Sequence, residues 1–83
     1  MKFLKKEIKR EIHNARQRFP AFNSHHEAYA VIKEEVDELW DCIKENSNAT
    51  DKFDEVIQII SMCYCYVDEI LIDEIDKEIA GDD

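Results

Sequence analysis

The chain predicts an all-α fold, a three-helix protomer that assembles into an oligomeric helical bundle, and three observations carry that expectation. Its 83 residues include one glycine and one proline, so the residues that punctuate turn-rich β structure are nearly absent. The apolar residues recur mostly at helical spacing. The stretch from Val56 to Val67 is apolar almost all round a helix, which means burial on several sides. Two companion helices in a chain this short cannot surround it.

The first element is a basic N-terminal helix within residues 1–20, from about Lys2 to Arg18. Leu4, Ile8, Ile12, Ala15 and Phe19 fall on one stripe, and Pro20 ends it, because a residue before proline avoids helical dihedrals. Phe19 to Phe22 reads as a packed connector. A core helix over residues 24–46 opens on Ser24 and Glu27, a capping box in which Ser24 accepts from the Glu27 backbone and Glu27 reaches back to Ser24. Tyr29, Ile32, Val36, Leu39, Trp40 and Ile43 form its apolar face. A short polar loop then makes the helix over residues 50–80 an antiparallel neighbour. At about 1.5 Å per residue this third helix spans about 45 Å, too long for a compact monomer, and Gly81 suits its C-terminal cap. Self-association into a helical bundle is the expectation from both features. Residues 1–83 form a single domain, without internal repeats.

Charge is unevenly placed. Residues 1–20 carry seven Lys/Arg and two Glu, a net of +5, and residues 21–83 carry four Lys and eighteen Asp/Glu, a net of −14. So acidic a body argues against nucleic-acid binding. No run approaches the roughly 20 apolar residues of a membrane span, and the N-terminus lacks a signal-peptide apolar region. Cys42, Cys63 and Cys65 are odd in number and lie in apolar stretches, as reduced core thiols do. A cytoplasmic protein is the expectation. Cys63 and Cys65 diverge by about 200° on a helix, which disfavours one shared zinc.

The chemistry-bearing residues are acidic. Glu35 and Glu38 project from one face of the second helix, and Glu55 and Gln58 from one face of the third. Folding the two helices together lets three carboxylates and one carboxamide meet across the groove. Clustered like charges cost stability unless a cation sits among them; a hard divalent ion with oxygen ligands is the natural resident, and magnesium usually keeps room for waters and substrate phosphates. Glu34 and Asp51 are additional carboxylates within reach. A solvated acidic face is the ordinary alternative. Trp40 and Lys52 are candidate substrate contacts, with core packing and an ordinary surface lysine as the alternatives. Histidines 25 and 26 read as polar residues at a helix start. With Gly81 as the sole glycine, a P-loop is excluded.

These motifs resemble the MazG-like all-α nucleoside triphosphate pyrophosphohydrolases, whose signature is Glu-Glu-x-x-Glu on one helix and Glu-x-x-Asp on the next. Glu34, Glu35 and Glu38 match the first half, within a segment running from His26-Glu-Ala-Tyr to Leu-Trp-Asp41. In the second half Glu55 matches, and Gln58 stands where the family has aspartate. The resemblance covers roughly residues 22–72. It implies a dimer or a tetramer of dimers, a magnesium ion held by Glu35, Glu38, Glu55 and Gln58, and a nucleotide ligand. The implied reaction is attack of water between the α and β phosphates, giving a nucleoside monophosphate and pyrophosphate, with Glu35 or Glu38 as catalytic carboxylate. Loss of the family aspartate motivates a rival, a protein that binds or sequesters nucleotides or nucleotide signals without cutting them. A structural or regulatory helical oligomer with no ligand is a second rival.

Overall fold

The computed structural model describes residues 1–81. They form α1 (Lys2–Arg18), α2 (His25–Lys44), α3 (Ala49–Tyr66) and α4 (Ile72–Ala80), and no strand occurs among them. A π-helical turn, Val67–Leu71, joins α3 to α4 without a break, its last bond running from the Ile72 N–H to the Val67 carbonyl. In space there are therefore three helices, as the sequence predicts, and the third is continuous from Ala49 to Ala80. It accounts for the longest dimension of the molecule, 53 Å against 28 and 23 Å. Both α1 and α2 pack against α3, with α2 the closer companion.

Local chemistry sets the boundaries. Phe19 leaves α1 in an extended conformation (φ −133°, ψ 145°), as the clash with the Pro20 ring requires. Ser24 caps α2, its Oγ accepting from the Glu27 N–H at 3.0 Å. Glu27 reaches one residue further back than a capping box requires and accepts from the Asn23 N–H at 2.6 Å. At the other end Asn46 sits at φ 55°, a left-handed conformation that asparagine tolerates. The Asn46 N–H then bonds the Ile43 carbonyl and the Ser47 N–H bonds that of Cys42, which is the Schellman arrangement. Asn48 starts α3, its Oδ1 accepting from the Asp51 N–H at 2.8 Å.

The core is thin. Ala15, Ala28, Ile57, Met62 and Cys65 are its buried hydrophobic residues, with Ile12, Phe22, Val31 and Ile32 packed partly around them. The apolar face expected of α2 is only half covered, since Tyr29, Val36, Trp40 and Ile43 are exposed while Ile32 and Leu39 are half-buried. The residues turned toward α3 are Ala28, Ile32, Glu35, Leu39 and Cys42, a run at alternating spacings of four and three. On the third helix Val56, Tyr64, Val67, Ile72, Ile75 and Ile79 remain exposed. Of the cysteines, Cys65 is buried, Cys42 half-buried and Cys63 exposed, all three free. The divergence of Cys63 from Cys65 follows the helical phase, and the former is not a core thiol.

The connector is held less by its own packing than by the π turn. Phe19 is 63% exposed, with the Arg18 guanidinium over its ring, while Phe22 is half-buried. The Phe22 N–H donates to Glu69 Oε1 at 2.9 Å. Arg16 donates to Glu69 Oε2 at 3.1 Å and to Asp68 Oδ2 at 2.8 Å. Glu69 thus fastens both the end of α1 and the connector to the third helix. His25, the first residue of α2, lies 2.8 Å from the Tyr66 hydroxyl through Nδ1 and 2.9 Å from Glu74 Oε2 through Nε2.

Removing the α3 cap tests this account of the boundaries. Asn48→Ala should cost about 1 kcal/mol, read as a lower urea midpoint at unchanged slope. An unchanged midpoint would mean that water satisfies the Asp51 N–H equally well.

Candidate metal centre

Three carboxylates meet where α2 crosses α3. Donor oxygens of Glu35, Glu38 and Glu55 all lie within 4.8 Å of one another, the group of this kind found among the described residues. Glu35 belongs to the α2 seam that faces α3, between Ile32 and Leu39. Glu38, one turn on, is exposed, and Glu55 on α3 is half-buried. The pairing expected from the i, i+3 spacing of Glu35 and Glu38 is therefore realised, with Glu55 supplied by the antiparallel neighbour.

The cluster is electrostatically unfavourable. Burial pushes the Glu35 carboxyl up to about 7, with the charges of Glu38, Glu55 and Glu34 adding to the effect. Burial also raises Glu55, reinforced by Glu38 and then by Asp54 and Asp51. Among the described residues, no lysine, arginine or histidine is paired with Glu35, Glu38 or Glu55. Oε1 of Glu55 is buried and makes no hydrogen bond. Carboxylate oxygens that are close together and lack N–H or O–H donors suit a hard divalent cation, which takes oxygen ligands and relieves the repulsion.

Of the trio, Glu35 alone borders a cleft of about 410 Å³, which it shares with Glu34 and Gln58, with apolar Phe22 and Met62, and with Arg18. Gln58, half-buried, and Glu34 thus line the same cleft as Glu35. Asp51 is outside the trio; its backbone N–H serves the α3 cap, and its charge adds to the field at Glu55. Trp40 and Lys52 do not border the cleft. Trp40 is 55% exposed, with the Lys44 ammonium 5.7 Å from its ring centroid. Neither core packing nor a cleft contact describes that tryptophan.

Residues that the sequence reading passed over also border the cleft. Arg16, Arg18 and Glu69 do so, as does Glu11 from α1, whose Oε2 is buried without a hydrogen bond. A signal for Glu11 was present: Leu4, Ile8, Glu11 and Ala15 follow the same alternation of four and three that places Glu35 in the α2 seam. His25 has a structural role, tying the start of α2 to the far end of the third helix.

The raised Glu35 gives a signed pH dependence. Its folded value of about 7 lies above the ordinary 4.5, so the folded state holds the proton more tightly. Stability is then highest below the unfolded value and falls as pH rises from about 4.5 to about 7. After allowance for solvent screening the loss is about 1 kcal/mol. The melting temperature without divalent cations should drop across that window, and Glu35→Gln should flatten the slope. A parent and variant with superimposable profiles would place Glu35 in an ordinary solvated setting.

No protein-family model, no curated protein and no solved structure matches this chain.

Proposed function

We propose that the protein is a MazG-like nucleotide pyrophosphohydrolase, hydrolysing a nucleoside triphosphate to the monophosphate and pyrophosphate with magnesium. The observation that carries this reading is the convergence of donor oxygens of Glu35, Glu38 and Glu55 within 4.8 Å of one another, with Glu35 also bordering a cleft of about 410 Å³. A helix pair with that donor set fits a magnesium ion, and Glu35, Glu38 and Glu55 would hold it. Gln58 would add an amide oxygen without charge. When bound, the ion would draw charge from phosphate oxygens and acidify a water.

The chain's own groups supply the rest. Whichever of Glu35 and Glu38 is less engaged with the cation would accept the proton from the attacking water. Arg18, 63% exposed at the cleft and held only by a long 4.0 Å pairing with Glu11, can turn to a phosphate, whereas Arg16 is occupied by Asp68 and Glu69. Phe22 and Met62 offer an apolar wall to a base or sugar.

A dimer or tetramer belongs to the same proposal. The exposed apolar residues of α2 and of the third helix support it, since a second copy would remove them from water. Sedimentation at micromolar concentration should give a multiple of 9.9 kDa; one chain mass with intact helicity would remove this part of the proposal.

Gln58 favours a second reading, capture of a nucleotide without cleavage, because it leaves the pair Glu55 and Gln58 one charge short of the family pattern. A panel of nucleoside triphosphates incubated with the protein and magnesium separates the two. Release of pyrophosphate, abolished in Glu35→Gln and Glu38→Gln, supports the hydrolase; tight retention without product supports the binder. Gln58→Asp should tighten magnesium and raise turnover in a hydrolase, and weaken retention in a binder. A panel with neither product nor retention would leave a structural bundle.

A further inference from the structure

Glu11 is the carboxylate that the trio does not explain. It sits on α1 in line with Leu4, Ile8 and Ala15, the residues turned toward α3, where an apolar side chain or a glutamine would be expected. Its side chain is only 16% exposed, and Oε2 is buried without a hydrogen bond. The nearest cation is Arg18 Nη2, 4.0 Å away, on a side chain 63% exposed. That separation is too long for a hydrogen bond, so the pairing leaves the oxygen unsatisfied. A buried carboxylate oxygen without a donor is costly.

Its surroundings point to a use. Glu11 borders the same cleft as Glu35 and Gln58. It also shares a second depression, of about 270 Å³, with Gln58 and Asp54. Glu11 on α1 and Gln58 on α3 therefore line the same two depressions, and Gln58 brings no charge there. We infer that Glu11 is the fourth carboxylate of the metal centre, supplied by α1 in compensation for the neutral Gln58. It acts through water. Its oxygens are not among those within 4.8 Å of one another in the trio, and magnesium keeps several waters that need acceptors. Such outer-layer acceptors orient a bound ion and add to its affinity. The inference rests on reading Glu35, Glu38 and Glu55 as a magnesium site, and it gives the otherwise basic α1 a part in that site.

Magnesium alone, titrated calorimetrically into the intact protein at low ionic strength, tests it, with helicity followed by circular dichroism. Glu11→Gln should weaken magnesium about tenfold with helicity unchanged. Moving the charge across the α1–α3 contact, in the double variant Glu11→Gln with Gln58→Glu, should restore most of the affinity. Arg18→Gln should leave magnesium binding unchanged or tighter, since Arg18 competes for Glu11. Glu78→Gln, on α4, controls for the general loss of one negative charge. Parent-like affinity in Glu11→Gln, alongside loss in Glu35→Gln, overturns the role of Glu11 and leaves the trio intact. An equal loss in Glu78→Gln overturns it too. No magnesium binding by the parent, or none lost in Glu35→Gln, removes the centre itself and the inference with it. If Glu11→Gln loses helicity the double variant decides, because it keeps the net charge: recovery supports the role, and a loss equal to that of Glu35→Gln overturns it.

Discussion

Mutual repulsion among Glu35, Glu38 and Glu55 is the constraint around which the rest of the protein is arranged. The α2–α3 pairing that builds the core is the same pairing that brings these carboxylates together. Packing and repulsion therefore cannot be separated: any sliding of α2 that would relax the charges also shifts Val31 and Ile32, which pack against the core formed by Ala15, Met62 and Cys65. Two outlets remain to the folded chain. A proton can enter, which is why Glu35 titrates near neutrality, or a cation can enter, which the oxygen donors favour. Both leave the helices in place, and they compete with each other.

The thinness of the hydrophobic interior sharpens this. Few side chains are fully buried, and many large apolar ones face solvent along α2 and the third helix. A domain of this size has little stability in reserve, so a repulsive centre is a large fraction of the balance. The polar straps matter correspondingly. Glu69 gathers Arg16 and the Phe22 N–H, and His25 bridges Tyr66 and Glu74. These contacts hold α1 and α2 to the long third helix where hydrophobic contact is sparse.

Much of this was legible in the sequence. The three helices, the stop at Pro20, the Ser24 cap and the carboxylate trio all arise from spacing and side-chain chemistry, because each depends largely on neighbours within one or two turns. Less legible was which edge of an apolar stripe would be covered. Tyr29, Val36, Trp40 and Ile43 share a face by sequence, yet α3 lies against the edge marked by Ala28, Ile32 and Leu39. Small Ala28 admits the neighbouring helix more closely than tyrosine or tryptophan would, and hydrophobicity alone does not register that. The same blindness hid Glu11, a charged residue at a seam position of a helix that otherwise reads as basic and solvated. The π turn was not foreseen, since Val67 to Leu71 has the composition of ordinary helix and the bonds that Asp68 and Glu69 within it accept come from Arg16, about fifty residues away.

That π turn also bears on how the molecule tolerates change in length. One residue more than an α-turn would use is absorbed there, and each helical residue rotates the downstream segment by about 100°. Excising a single residue between Val67 and Leu71 would let the segment close as ordinary α-helix, with the backbone bonding intact. The carboxylate centre, upstream on α3, would keep its geometry. Everything beyond would keep nearly its present azimuth, with Ile72, Ile75 and Ile79 facing as they do and Glu74 still turned toward His25, because the residue removed is the one the wider turn absorbs. The segment therefore works as a phase buffer between the carboxylate-bearing half and the half with exposed isoleucines: losing one residue there leaves both facing as they do, whereas the same loss in the flanking α-helix would turn the apolar stripe by about 100°.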